Sequence, residues 1–322
     1  MKIAMPADLT AENITFGVEI ECAIPLAAGV RRGGYHRGLP VTGGLTTAQC
    51  FEAAPTFNGT AWRADSDGSL GGFEANLMTV EFVSPVLHGA AGVQHLIDFI
   101  RWLNRLGAKV NTSCGLHITV GIRSMYPGKV VDSAEVARFV RRLARFANNH
   151  RWAIYAQTGT GRHVNRYSAP LTPETKANFE RMLETSVGEN LIQLATSCGR
   201  GMVNFRKAFN PGSEVVEFRA FAGTTNESKV LHHLATVFGI CRKVVASKEV
   251  PPFFRSEKIV RLANAKAAVK RLWKVMGWSR RTATHDCALG LFGPLHELFP
   301  AYSAKALEMA EKFEASFPAA NL

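Results

Sequence analysis

Residues 15–22 read TFGVEIEC. In a β-strand, successive side chains point to opposite faces of the sheet. Phe16, Val18, Ile20 and Cys22 then share one face, and Glu19 and Glu21 share the other. Two like charges on one side of an otherwise apolar strand predict a sheet with a packed back and a chemically active front. The same alternation recurs downstream. In LMTVEFVS (77–84), Val80 and Phe82 oppose Thr79, Glu81 and Val83. In CGLHITV (114–120), Cys114, Leu116, Ile118 and Val120 oppose His117 and Thr119. In SEVVEFRAF (213–221), Val216, Phe218 and Ala220 oppose Glu217 and Arg219.

The polar faces collect Glu19, Glu21, Glu81, His117, Glu217 and Arg219. Four carboxylates on one face repel one another unless cations neutralise them. Carboxylates with one imidazole suit hard divalent ions such as Mg²⁺ or Mn²⁺. A fixed arginine beside them suits a phosphate, which its planar fork grips through paired hydrogen bonds. Metal ligands, arginine and a polyanion together are the equipment of ATP-dependent phosphoryl transfer.

The rest of the chain frames this sheet. The length of 322 residues supports a full hydrophobic core, and 47% hydrophobic with 20% charged residues is ordinary globular composition. No apolar run approaches the roughly 20 residues needed to cross a bilayer. The opening residues MKIAMPADLTAEN lack an apolar signal core, so a soluble cytoplasmic protein is expected. Six cysteines without a CxxC pair suggest neither a zinc site nor a disulfide framework. Buried thiols are expected at Cys22, Cys114 and Cys241. Net charge is +12, and residues 242–281, with twelve Lys/Arg against Glu249 and Glu257, supply +10 of it. A phosphate-rich ligand, an acidic polymer and a plainly solvated helix face all fit that charge.

Helical periodicity covers 90–107, with Gly107 as its stop, and a second helix runs from a Ser133 cap to about Asn149. Further helices are expected over 174–184, from Asn226 to about Val245, and over 258–276 and 303–316. Gly29 to Gly44 reads as a long surface loop or flap. WRADSDGSLGG (62–72) reads as a bend beside a strand, and 202–209 with 213–221 as a hairpin around Asn210-Pro211-Gly212. The expected fold is α+β: a largely antiparallel sheet with one open catalytic face, helices on the other, and a helical C-terminal extension. Residues 1–250 form the expected catalytic domain, and 251–322 a basic helical extension packed on it.

The blocks FGVEIEC, WRADSDGSL, TVEFVSPVLHGAAG, GAKVNTSCGLHITV, VNFRKAF and GSEVVEFRAFAGTTN follow one another as in the amidoligase family. The chain resembles that family over roughly residues 14–245. It is a branch of the carboxylate–amine ligases related to glutamine synthetase and glutamate–cysteine ligase. The resemblance implies a glutamine synthetase-like catalytic sheet, ATP and Mg²⁺ or Mn²⁺ as cofactors, and amide formation through an acyl phosphate. It implies metal ligation by Glu19, Glu21, Glu81, His117 and Glu217, with Arg219 on the transferred phosphoryl group. Arg219, Glu217 and Glu81 are thus expected closest to the chemistry. Arg219, Arg162 and Arg166 are expected to meet the nucleotide, the latter two from RHVNRYSAP (162–170), a loosened form of a family element that also holds Tyr167. Asp67 and Ser69 match a D-x-S element, and Asn204, Thr224 and Asn226 match site-shaping positions. Where many relatives carry H-x-H, this chain has Thr119, which weakens any role needing two imidazoles.

A carboxylate and an amine are the implied partners, a peptide or acidic polymer stays open as the carrier of one of them, and no membrane is expected. Two other readings stay open. A guanidino-kinase-like phosphotransferase would use the same face without an acyl step. A nucleic-acid-binding module would use the basic 242–281 segment, although only Trp273 and Trp278 are interleaved with its charges.

Overall fold

The structure is a computed structural model that describes residues 14–182, 188–197, 200–253, 264–276 and 299–317. Strands follow in chain order as β1 (Thr15–Pro25), β2 (Leu39–Pro40), β3 (Gly43–Leu45), β4 (Phe51–Ala53), β5 (Thr56–Phe57) and β6 (Thr60–Ala61). They continue as β7 (Arg63–Asp65), β8 (Leu77–Val83), β9 (Leu87–His88), β10 (Gly115–Gly121), β11 (Val203–Asn204) and β12 (Val215–Ala222). The main sheet runs β11-β12-β10-β1-β8-β7-β2, with β9 also paired to β1. Every neighbouring pair is antiparallel. β1 lies at its centre because its apolar face is continuous: Phe16, Val18, Ile20, Cys22 and Ile24 are all buried.

Helices cover that face. They are α1 (Gly89–Leu106), α2 (Ser133–Asn149), α3 (Arg151–Ala156), α4 (Pro173–Arg181), α5 (Gly188–Ser197) and α6 (Glu227–Ala246), followed by Ala265–Val275 and Phe299–Ser316. Where α1 meets the sheet, Trp62 and Phe99 stack at 3.7 Å between ring centroids, and Phe82 meets both Phe99 and Trp102 edge-on. Large aromatic areas of this kind dominate a core's stabilisation. α1 stops at Gly107, whose φ of 84° is left-handed and suits only a residue without Cβ; its N–H meets the carbonyls of Leu103 and Asn104. α6 starts at Asn226, whose side chain accepts the Lys229 N–H. The late helices rest on α3 and α6, and Val269, Leu272 and Phe313 join the common core. Cys22, Cys114 and Cys241 are buried free thiols, as expected, and Cys50 is an exposed one. Cys198, Cys287, Trp278 and residues 254–263 lie outside the described residues. Among the described residues no helix is long and apolar enough to cross a membrane.

Four local expectations are corrected. The cap of α2 is Asp132, whose carboxylate accepts the Glu135 N–H, and Ser133 is the first helical residue. The strand expected over 202–209 is only Val203–Asn204. Beyond it the chain winds through turns, with the Ser213 and Glu214 N–H groups both donating to the Asn210 carbonyl. The Gly29–Gly44 stretch is not a free flap. Gly33 N–H donates to Ala64 O, Ser66 N–H donates to Gly33 O, and β2 pairs with β7, so the stretch is tied to the sheet although Tyr35, His36, Arg37 and Leu39 stay exposed. Finally, strict alternation fails in β12. Leu116 pairs with Phe221 and Ile118 with Phe218, so Arg219 and Ala220 together face His117. This is a β-bulge. It returns Phe221, rather than Ala220 alone, to the helix side, where its ring stacks on His233 of α6 at 4.4 Å.

Candidate metal and phosphoryl site

The open face of the sheet gathers its polar side chains through strand register. Glu19 of β1 lies directly across from His117 of β10. Glu21 of β1 faces Glu81 of β8, and Glu81 in turn faces Asp65 of β7. On the other side, Glu217 of β12 lies between Thr119 of β10 and Asn204 of β11. Five adjacent strands therefore deliver one band of charge. The band is less open than alternation alone predicts: Glu21, Glu81, His117 and Arg219 are all buried.

His117 is the hub. Its Nδ1 lies 3.0 Å from Glu19 Oε2, 3.5 Å from Glu217 Oε1 and 3.9 Å from Glu81 Oε1, and its Nε2 lies 3.5 Å from Glu21 Oε1. Two groups of ligand atoms result, each within 4.8 Å: Glu19, His117 and Glu217, and Glu21, Glu81 and His117. His117 Nε2 is buried without a hydrogen bond. Buried polar atoms are rarely left so unless something else meets them.

The carboxylates show the same shortage of positive charge. Burial first, then the charges of Glu19, Glu21, Asp67 and Asp65, push the Glu81 carboxyl up to about 9. At Glu19 burial also works upward. There the His117 hydrogen bond and the charges of His117, Arg219 and Lys207 outweigh it and hold the carboxyl down to about 2. One carboxyl kept protonated beside one kept ionised is how crowded like charges divide. An orphaned imidazole nitrogen and a repelling carboxylate set fit hard divalent cations well.

Two buried arginines flank the hub. Arg219 donates through Nη1 to Glu217, with His117 Nδ1 at 3.3 Å, and through Nε to the Tyr167 carbonyl at 3.1 Å. Arg162 donates from Nη2 to the Arg219 carbonyl at 3.0 Å, while its buried Nε has no partner. Asn204 donates to Glu217 Oε2 at 2.7 Å. The loop that carries Arg162 is pinned from below, where the Tyr155 hydroxyl and the Ser168 carbonyl meet at hydrogen-bond distance and Ser168 Oγ donates to Arg162 O. Gly115 completes the cradle. A Cβ there would sit 2.7 Å from His117 Nε2, 2.8 Å from Arg162 Nη2 and 3.1 Å from Glu21 Oε2.

Not every expected residue joins this group. Arg166 is exposed, lies over the Tyr167 ring at 4.5 Å and donates to its hydroxyl. Asp67 closes a local turn by accepting the Ser69 N–H, although its charge reaches Glu81. Thr224 and Asn226 serve the start of α6: the Asn226 N–H donates to Thr224 Oγ1. Asp65, in contrast, was not singled out by sequence reasoning. It is buried, burial raises its carboxyl against the pull of Arg63 and His36, and neither oxygen has a partner. The available signal was the alternation of buried Trp62 and Ala64 with Arg63 and Asp65, which marks a strand where the turn-forming Asp-Gly suggested a bend.

Residues 12–238 match the family described as "Putative amidoligase enzyme", and the chain belongs to that family. No curated protein sequence matches it. Among solved structures, it is similar to a bifunctional glutathione synthetase from Pasteurella multocida, at 8% identity and a TM-score of 0.40, over 96% of this chain and 53% of that one. It is also similar to a novel glutamine synthase homolog, at 11% identity and a TM-score of 0.37, over 98% of this chain and 72% of that one. The chain thus spans about half the length of the first of these.

Proposed function

We propose that this amidoligase-family protein is a cytoplasmic ATP-dependent ligase that joins a carboxylate to an amine through an acyl phosphate. One observation carries the reading. Four carboxylates surround His117, with Glu19, Glu217 and Glu81 toward Nδ1 and Glu21 toward Nε2, and the Arg219 guanidinium lies against the same imidazole.

Glu19, His117 and Glu217 would hold one divalent cation, and Glu21, Glu81 and His117 a second. When bound, Mg²⁺ or Mn²⁺ supplies the positive charge that offsets the phosphates of ATP. Arg219 has Nε and Nη1 tethered to the protein, which leaves Nη2 without a protein partner among the described residues. A guanidinium fixed in this way costs little to reorganise as charge develops on the transferring phosphoryl group. Arg162 adds a second buried cation on the same side. A substrate carboxylate oxygen forms the new bond to the γ-phosphorus as ADP leaves. The amine nitrogen then bonds to the acyl carbon as phosphate leaves, releasing one proton. Burial of the band keeps water from competing for the acyl phosphate.

The test is ADP release over a panel of carboxylate and amine pairs with Mg²⁺, together with hydroxylamine trapping of the acyl phosphate as a hydroxamate. A carboxylate-dependent hydroxamate supports the ligase. A stable phosphorylated guanidine in its place would make the protein a phosphotransferase.

A further inference from the structure

We infer that the outer face of α2 is a docking groove for an acidic peptide segment in extended conformation, separate from the carboxylate band on the open face of the sheet.

α2 carries Arg138, Arg141, Arg142 and Arg145. Positions three and four apart lie on one face of a helix. The core takes the other stripe, through Val136, Phe139, Val140 and Leu143. The segment that follows α6 lies along the arginine row. Arg142 Nη1 donates to the Ser247 carbonyl, Arg145 Nη1 to the Val250 carbonyl, and Asn149 to the Pro252 carbonyl. Helix and segment together wall a hollow of about 700 Å³.

The charge of this hollow is unbalanced. Its four arginines and Lys248 meet three carboxylates, Glu135, Glu180 and Glu249. Arg138 and Arg142 share Glu135, and Arg141 and Arg145 share Glu180. A guanidinium already held by one carboxylate loses less freedom when it grips another. The Arg138 side chain remains 48% exposed, and Lys248 on the other wall is exposed as well.

A second hollow, of about 350 Å³, adjoins the first, and Arg138 lines both. Its apolar lining includes Met125, Val245 and Val130, and Val130 is 99% exposed. A valine held wholly in water beside an open hollow is a ready contact for an apolar side chain.

A peptide uses both hollows, with an apolar side chain at Val130 and carboxylates along the arginines. A step of four residues along a helix rises about 6 Å. Alternate residues of an extended chain are roughly 6.6 Å apart. Acidic residues at every second position therefore match the spacing of Arg138 and Arg142, or of Arg141 and Arg145. Each carboxylate can accept two parallel N–H bonds from a guanidinium. A nucleic acid fits less well, because single strands bind through exposed aromatic faces. Among the described residues, Tyr126 is the one aromatic side chain lining either hollow, and it is buried with its hydroxyl on Glu135 at 3.1 Å.

Fluorescence anisotropy on the full chain tests the groove. The labelled peptide has glutamates at three alternate positions, serines between them and a leucine at each end. Binding should be saturable. Exchanging the glutamates for glutamines should weaken it about tenfold or more, and so should the double variant R138E/K248E. Val130→Ser, at a position exposed enough to leave folding untouched, should weaken binding about threefold while leaving a leucine-free peptide unaffected. Circular dichroism checks that both variants fold. No saturable binding, or equal binding of the glutamine peptide, would overturn the inference on the wild type alone. Full affinity in either folded variant would overturn the location. An oligothymidylate that displaces the peptide and binds more tightly would replace the peptide with a nucleic acid and overturn the inference too.

Discussion

Glu21 and Glu81 face each other directly across the β1–β8 pair, both buried. Like charges placed opposite one another in a sheet destabilise it. The metal-free protein therefore carries a proton at Glu81, whose carboxyl is raised to about 9. A carboxyl raised above its unfolded value stabilises the fold below that value and loses the contribution as pH climbs toward the folded one. Glu19, lowered to about 2, behaves oppositely and loses its contribution only as pH falls toward 2. Metal-free stability should thus fall between about pH 5 and about pH 9, by up to about 1.4 kcal/mol per pH unit where a whole proton differs. Glu81→Gln should flatten that slope in urea titrations done with chelator. An unchanged slope would show that Glu81 is not the group responsible.

Arg219→Lys keeps the charge and removes the planar fork that spans Glu217 and the Tyr167 carbonyl. Turnover, measured as ADP release, should fall roughly 10²-fold or more. Mn²⁺ binding should persist, because Arg219 contributes no metal ligand. Near-normal turnover in a folded variant would make the Arg219–Glu217 contact purely structural.

Gly115→Ala adds one methyl where His117, Arg162 and Glu21 converge. The sheet has little room to shift there, since Gly115 pairs with Ala222 in β12. Metal affinity should drop by about 10–100-fold, the range seen when ligand orientation is disturbed. Circular dichroism should stay close to wild type. Full affinity in the alanine variant would show that this corner stays clear of the ion.

Phe99→Ala removes one half of the Trp62 stack beneath α1. The expected loss is about 3–5 kcal/mol of unfolding free energy, the usual cost of deleting a buried aromatic ring. Urea denaturation followed by tryptophan fluorescence reads it directly. A loss under about 1 kcal/mol would mean that the helix layer collapses onto the cavity.

Much of this site was legible because one face of its strands is apolar and the other carries the charged side chains. Glu19, Glu21, Glu81, His117 and Glu217 announce themselves as polar exceptions inside apolar alternation, and the structure brings them into one band. What alternation cannot see is a change of phase. The bulge at Arg219 and Ala220 depends on backbone pairing with β10, which no local pattern encodes. Asp65 escaped notice because the turn chemistry of Asp67-Gly68 masked the short alternation of Trp62 and Ala64 with Arg63 and Asp65 just before it. The Gly29–Gly44 stretch misled through its glycines. Gly43 and Gly44 are buried, and added Cβ atoms would meet the Glu52 carbonyl at 2.5 Å and the Ala28 carbonyl at 2.9 Å, so close packing rather than mobility explains them. Arg166 looked equivalent to Arg162 in sequence, and only the turn of the loop separates the buried cation from the exposed one.

The bulge in β12 also carries an evolutionary consequence. Because two residues there stand against one, the spacing between Glu217 and Phe221 sets the phase of everything after it. Removing a single residue from this run would restore regular pleating and leave Phe221 opposite Leu116, but only one residue would then face His117 where Arg219 and Ala220 now stand together. Related proteins should therefore tolerate changes of side chain at Ala220 more readily than any change in the number of residues between Glu217 and Phe221.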